Sequence, residues 1–111
     1  MIRGETVQVA LRVDGGTDRL GNPTVAYADP APVRNVLVAP ATMDEVAATR
    51  PDGIVATYTL HFPRGYRADL RGAIVTVRGD EYRVAGDPAP YTEADVPGEW
   101  SMPVTVGRRD G

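Results

Sequence analysis

The chain has 111 residues, of which 42% are hydrophobic and 24% charged, with a formal net charge of −3 and no cysteine. This length and composition predict one ordinary globular domain, and the lack of cysteine excludes disulfides, thiolate metal ligands and a cysteine nucleophile. No hydrophobic run approaches the roughly 20 residues of a membrane-spanning helix, and we expect no signal peptide. All 12 basic residues are arginine, but they are too scattered to form a phosphate-binding footprint.

Residues 6–13 give the clearest strand signal, because apolar side chains alternate there with polar ones. The apolar face holds Val7, Val9, Leu11 and Val13. We expect a half-buried antiparallel strand that ends at the Asp-Gly-Gly sequence of residues 14–16. The Gly- and Pro-rich residues 15–32 predict either a mobile arm or a wide hairpin, with a short strand at 24–28.

Two central segments also predict strands. Residues 33–39 contain three consecutive apolar residues, which is typical of a strand covered on both sides. Residues 54–62 alternate again, which predicts one buried and one exposed face. The predicted buried face consists of Ile54, Ala56, Tyr58, Leu60 and Phe62.

The last strands are predicted at residues 73–78, 81–85 and 100–106. The first two form a hairpin in which Gly79-Asp80 suits a type II′ turn. In the last segment Pro103 indicates an edge position, because proline cannot donate a backbone hydrogen bond. The side chains expected to face inward are Ala73, Val75, Val77, Tyr82, Val84, Trp100, Met102, Val104 and Val106.

The connection at residues 40–53 is long for a hairpin, whose loops usually contain about 2–5 residues. Thr42 and Glu45 have the spacing of a capping box at a helix start, and Met43 and Val46 fall on one apolar face. Asp44 and Glu45 lie in the first turn, where the helix dipole favours negative charge. Two turns is less than the roughly 12–15 residues that a helix needs in isolation. We therefore expect a helix whose stability depends on packing.

About six antiparallel strands, one short helix and no βαβ unit predict a mainly all-β fold. The architecture is a small antiparallel barrel or closed sandwich with one long central loop.

The sequence offers little that could support catalysis. His61 is the only histidine and Ser101 the only serine, and a nucleophilic triad needs such residues to be brought together. One histidine without cysteine cannot form a usual zinc site. We predict no enzyme activity, no metal site and no cofactor.

Three other features have ordinary structural explanations. Arg78-Gly79-Asp80 matches a cell-adhesion tripeptide but fits a hairpin turn, and Trp100 at the start of an apolar face fits a core anchor better than a base-stacking platform. The acidic residues 87, 93, 95 and 99 do not have the spacing of a calcium loop and fit a solvated loop.

Several phrases, taken together and in order, resemble a known family over nearly the whole chain. The phrases are Asp18-Arg19-Leu20-Gly21-Asn22-Pro23, Val36-Leu37-Val38-Ala39-Pro40, Arg50-Pro51-Asp52-Gly53, Thr59-Leu60-His61-Phe62-Pro63, Asp69-Leu70-Arg71-Gly72-Ala73, Val77-Arg78-Gly79 and Tyr82-Arg83-Val84-Ala85-Gly86-Asp87-Pro88. The chain is similar to the head–tail connector proteins of long-tailed phages, also called head-completion or stopper proteins, in their actinobacterial phage and prophage form.

The resemblance implies a small β-barrel that forms a homo-oligomeric ring in the virion neck and is monomeric when free. Its implied partners are the portal or head–tail adaptor, the tail terminator or tail tube, and the genomic DNA passing through the channel, with no membrane and no cofactor. It would reside at the head–tail interface of the virion, and in the host cytoplasm during assembly.

The resemblance also implies functional residues. The loop at 40–53 corresponds to the segment that plugs the channel in relatives, although it is shorter and richer in alanine here. The implied plug residues are Thr42, Met43, Asp44, Glu45, Val46 and Arg50, and the candidate ring, portal or tail contacts are Arg19, Tyr27, Arg64, Tyr66, Arg67 and Tyr91.

Two other functions remain open at this point. A tail terminator or another ring protein of the same virion would have similar sequence features. A cellular OB- or SH3-like module would need a basic, aromatic groove, whereas the net charge is −3 and only 6% of residues are aromatic.

Overall fold

The computed structural model describes residues 4–47, 53–66, 68–86 and 100–109. These ranges contain eight strands and one helix of a single turn. In chain order they are β1 (Glu5–Ala10), β2 (Arg12–Thr17), β3 (Pro23–Tyr27), β4 (Ala31–Pro40), α1 (Met43–Ala47), β5 (Ile54–Pro63), β6 (Ile74–Val77), β7 (Asp80–Val84) and β8 (Trp100–Arg109).

Six of these strands close into an antiparallel barrel in the order β1-β4-β5-β8-β7-β6, with β6 returning to β1. The predicted all-β barrel with a long central loop and a short helix is therefore confirmed. Its interior is filled by aliphatic side chains and a few aromatic ones, as period-two alternation requires. The largest fully buried side chains are Phe62, Leu60, Leu70, Val7, Val36, Val75, Val77, Val104 and Val106.

Within the ranges described, no helix has the length and hydrophobicity needed to cross a membrane.

The strand predicted at residues 6–13 is divided in two at Leu11. Val7 and Val9 are buried in the barrel, whereas Val13 is 42% exposed on β2. The Asp-Gly-Gly sequence does not end the strand, because β2 continues to Thr17 through a register shift after Asp14. Beyond the barrel, β2 and β3 pair as a separate two-stranded sheet, joined to the barrel by a 2.8 Å hydrogen bond from Ala28 N–H to the Leu11 carbonyl oxygen, so the Gly- and Pro-rich region forms a hairpin.

β4, β5 and β8 form the wall opposite β6, with β5 at its centre. The sequence predicts a β4 covered on both sides, but only one face is covered: Val36 is buried and Val38 packs against the core, whereas Leu37 faces outward and is partly exposed. The expectation is wrong because a barrel strand has an inner face and a solvent face. On β5 the predicted alternation is confirmed, with Leu60 and Phe62 completely buried.

The hairpin between β6 and β7 turns one residue earlier than predicted. Val77 pairs with Asp80, so the central residues are Arg78 and Gly79, with φ angles of 52° and 87°. Two positive φ angles define a type I′ turn, and the predicted type II′ turn over Gly79-Asp80 is wrong. The predicted inward residues of this hairpin, such as Val75 and Tyr82, are buried.

β8 lies between β5 and β7, so its predicted edge position is wrong. It pairs with β5 along its whole length, and Pro103 lies opposite His61. The described pairs with β7 are confined to Val84 with Val106 and Arg83 with Gly107. Pro103 is tolerated because the described β7 residues pair with Val106 and Gly107 and not with Pro103, so none of these pairs requires its missing N–H group.

The strand directions give the barrel two distinct ends. Residues 12–27 leave at the end where β1 finishes and β4 begins; we call these residues the arm and this end the arm end. Residues 40–53 leave where β4 finishes and β5 begins; we call them the connecting loop and this end the loop end. Because β4 has 10 residues, the two attachment points lie roughly 30 Å apart along that strand.

Candidate interaction site at the two ends of the barrel

The tip of the arm is shaped by aspartate side chains that accept backbone hydrogen bonds. The Asp18 carboxylate accepts bonds from the N–H groups of Leu20 and Asn22, each 2.9 Å long. Asp14 similarly accepts from Gly16 N–H at 2.9 Å. Such side-chain turns order the chain locally, so the arm is a defined hairpin with its two strands paired to each other.

The base of the arm is attached to the barrel by two contacts. The Arg83 guanidinium on β7 donates a 3.2 Å hydrogen bond to the Tyr27 hydroxyl on β3. The Arg12 side chain lies against Gly72, where an added Cβ would sit 2.8 Å from Arg12 Cδ. These contacts hold the arm toward the β6–β7 side of the barrel.

The rest of the arm exposes apolar surface. Leu20 at the tip is 85% exposed, and Val13, Val25 and Tyr27 are each exposed by more than a third. An isolated two-stranded hairpin is only marginally stable in water, and unpaired strand edges offer backbone groups to another chain. The arm therefore has the properties of a binding element.

The connecting loop begins with a backbone hydrogen bond of 3.1 Å from Ala41 N–H to the Thr57 carbonyl oxygen. Its helix α1 contains one turn, in which Val46 N–H donates to the Thr42 carbonyl oxygen at 3.0 Å. Met43 is 88% exposed and Val46 is 46% exposed. A short helix is thus confirmed, and both predicted apolar residues face largely outward. The capping box of Thr42 with Glu45 stays a prediction, because the Glu45 side chain lies outside the described side chains.

Exposed hydrophobic side chains are concentrated on these two projections. Of the seven large hydrophobic residues exposed in the described part of the chain, the arm and the connecting loop carry all but Val55. Single exposed apolar residues need no explanation, but a local concentration of them is typical of an interaction site. The barrel thus presents one apolar element at each end.

An open groove of about 790 Å³ separates the arm from residues 68–71. Arg71 and Asp69 on the barrel side bind each other bidentately, with a shortest N–O distance of 2.9 Å. The hydrogen bond from Arg71 lowers the pKa of the Asp69 carboxyl. This pair largely neutralises itself, so the groove combines apolar surface with balanced charge.

The loop end holds a second group of paired side chains. The Arg78 guanidinium binds the Glu5 carboxylate bidentately at 2.6 and 3.0 Å, which lowers the pKa of Glu5 and raises that of Arg78. Arg78 also lies 5.8 Å from the Tyr58 ring centroid, and Tyr58 packs edge-to-face against Tyr82. Arg108 continues the row, 4.9 Å from the Tyr82 ring centroid. The charged groups of this row bind other side chains of the same barrel, so the row stabilises the barrel.

The remaining candidate contact residues occupy different places. Arg19 is exposed at the arm tip, whereas Arg64 and Tyr66 lie in the loop that follows β5 at the arm end. Tyr66 stacks on buried Phe62 with ring centroids 5.0 Å apart, and burial raises the pKa of its hydroxyl. Tyr66 is thus partly committed to core packing, while Tyr27 belongs to the arm.

Several predicted residues fall outside the described part of the chain. These are Arg50, Arg67, Tyr91 and the acidic residues 87, 93, 95 and 99. Asp44 and Glu45 lie on α1, but their side chains are outside the description.

Groups of three or more potential metal ligands are absent from the described residues. Every buried side-chain nitrogen and oxygen there has a hydrogen-bond partner.

The sequence pattern predicts the connecting loop but does not decide between a mobile arm and a wide hairpin for residues 15–32. Alternation places Val13 on the buried face of its strand, whereas Val13 and Val25 are 42% and 49% exposed. A usable signal was present: Asp18 and Asn22-Pro23 mark a turn between two short alternating segments.

A scan against models of known protein families finds no match, and no curated protein matches the chain significantly.

Proposed function

We propose that the chain is a structural protein of the neck of a long-tailed bacteriophage. Copies would form a ring between the portal or head–tail adaptor and the tail, close the DNA-filled head and provide the surface to which the tail attaches. The ordered sequence phrases described above suggest this function. The proposal requires no catalytic residue and no cofactor.

The observation that carries the proposal is the placement of two apolar projections at opposite ends of the closed barrel. A neck protein must bind one partner above and another below. The arm exposes Leu20 and Val25 at one end, and the connecting loop exposes Met43 and Val46 at the other. Exposed hydrophobic side chains at both ends suit this two-sided attachment.

Within this proposal the connecting loop is the channel plug. Asp44 and Glu45, repeated around a ring, would line the channel with negative charge, which repels DNA phosphates. Arg50 would pair with an acidic side chain of a neighbouring copy. Because α1 has one turn, contacts with neighbours in the ring would decide its final conformation.

The proposal is tested with heads from a phage that lacks this chain. Purified protein added to DNA-filled heads should make their DNA resistant to nuclease and should allow purified tails to join. The V46E variant places a charge on the connecting loop and should reduce both effects. T76E is the control, because Thr76 is partly exposed in the middle of the β6 wall, away from both ends of the barrel.

Other outcomes identify the alternatives. Binding to purified tails without any effect on heads would favour a tail terminator. Tight, salt-sensitive binding to single-stranded DNA would favour a nucleic-acid-binding module. Association with neither heads nor tails rejects the neck function.

A further inference from the structure

The outer face of the wall formed by β4, β5 and β8 lacks Asp, Glu and Arg side chains at its central paired positions. Two rows run across the three strands, one through Ala39, Thr59 and Thr105 and the other through Leu37, His61 and Pro103. All six residues are partly exposed. We call them the uncharged wall. Charged residues make up 24% of the whole chain, and their depletion is typical of the centre of a protein interface.

The arm has a face of the same character. Val13 pairs with Ala26, and because side chains alternate between the two faces of a strand, Thr24 lies on this face as well. The opposite face carries the pairs Arg12 with Tyr27 and Asp14 with Val25. One side of the arm is therefore free of charge and the other is not.

The arm cannot reach the uncharged wall of its own copy in this arrangement. Its contacts through Tyr27 with Arg83 and through Arg12 with Gly72 hold it toward β6 and β7. The uncharged wall is centred on β5, which lies directly across the six-stranded barrel from β6. A second copy placed beside the first can present its wall to the arm.

We propose that the uncharged face of the arm binds the uncharged wall of a neighbouring copy of the same chain. The inference rests on the proposed neck function in one respect: the arm tip with Leu20 and the connecting loop are assigned to partners above and below, which leaves the side faces of the arm and of the barrel for lateral neighbours. Arm and wall lie on opposite sides of the barrel, so the contact is head-to-tail. Contacts of this kind generate a ring when the rotation closes.

The size of the contact predicts how the copies behave. A two-stranded ribbon about six residues long covers roughly 10 by 20 Å, or about 200 Å², against roughly 800 Å² per partner in a standard interface. Each contact is therefore weak, so copies should be monomeric in dilute solution. They should associate when a neck holds them side by side, because the local concentration is then high.

Cysteine cross-linking tests the proposal, since the chain has no cysteine of its own. The V13C/T59C double variant, treated with a short bismaleimide at high protein concentration, should give a ladder of covalent oligomers on a denaturing gel. A mixture of the V13C and T59C single variants should stop at dimers, because each copy then has one reactive site.

The matched control is the V13C/T76C double variant. Thr76 is a partly exposed threonine in the middle of the opposite wall, in a row with Gln8 and Glu81, and this variant should give no ladder. Circular dichroism should show that each variant is folded. If T59C is unfolded, H61C in the neighbouring row takes its place.

Three results would overturn the proposal. The first is that V13C/T59C gives no ladder, and the second is that V13C/T76C gives an equally strong one. The third is that T59C alone gives as many dimers as the mixture, because the wall would then bind another wall. The outcome is independent of the head assay. A ladder from a protein that leaves heads unchanged would support the contact and reject the neck function. Protected heads without a ladder would support the neck function and reject the contact.

Discussion

Deleting residues 43–50 should leave the barrel folded while abolishing closure of the head. The connecting loop is bounded by the hydrogen bond between Ala41 and Thr57, and the deletion shortens the enclosed segment from fifteen residues to seven. Met43 is almost fully exposed, so its removal takes little apolar surface from the folded protein. The described residues of this segment, 43–47, therefore contribute little to stability.

The expected size follows from two opposing contributions. Shortening the loop from fifteen to seven residues reduces its closure entropy and stabilises the fold by about 0.7 kcal/mol. Losing half-buried Val46 costs about 1 kcal/mol, because complete burial of such a side chain contributes roughly 1.5–3 kcal/mol. The free energy of unfolding should thus stay within about 1 kcal/mol of wild type.

Urea unfolding followed by circular dichroism measures this difference. L60A supplies the comparison, because Leu60 is completely buried and its truncation should cost roughly 3–5 kcal/mol. The deletion variant should unfold close to wild type, bind heads, and fail to protect their DNA from nuclease. A loss of stability like that of L60A, with heads still closed, would show that the segment supports the barrel and does not plug the channel.

Two further predictions concern the barrel. G107A should destabilise it by several kcal/mol, because a Cβ at Gly107 would overlap the Val55 carbonyl group and force the β5–β8 backbone pairing to shift; urea unfolding close to wild type would contradict this. E5Q should remove a small pH-dependent part of stability. The hydrogen bond from Arg78 lowers the pKa of Glu5, so its stabilisation is present above the pKa of an unfolded-chain glutamate and is lost as pH falls through the lower, folded value. The side chains of Glu5 and Arg78 are both more than a third exposed. The free energy of unfolding of E5Q, measured by thermal unfolding, should therefore differ from that of wild type by less than about 1 kcal/mol at pH 7, and this difference should disappear in acid. A stability difference between E5Q and wild type that increases as the pH falls would contradict this prediction.

The sequence alone determined the elements that depend on patterns within a few neighbouring residues. Alternation along β5 placed Leu60 and Phe62 inside because successive side chains of any strand point to opposite faces. The length of the connecting loop was equally readable, and it led to Met43 and Val46 before any fold was known. These features depend only on neighbours a few residues away.

The β6–β7 turn shows where local signals stop being sufficient. Gly79 can serve as the first central residue of a type II′ turn or as the second of a type I′ turn. The choice was made by the pairing of Val77 with Asp80 and by the bidentate contact of Arg78 with Glu5, which is distant in sequence. A contact between residues so far apart in the chain cannot be predicted from a local sequence pattern.

The arm and the wall belong to the tertiary structure for the same reason. Val13 continues the apolar alternation of Val7 and Val9, yet it is exposed because the barrel closes before the chain reaches it. Likewise, Thr59 and Thr105 become one uncharged surface only when β5 pairs with β8 in this register. Sequence alone set which residues could face inward together, whereas barrel closure decided which of them remain available to another chain.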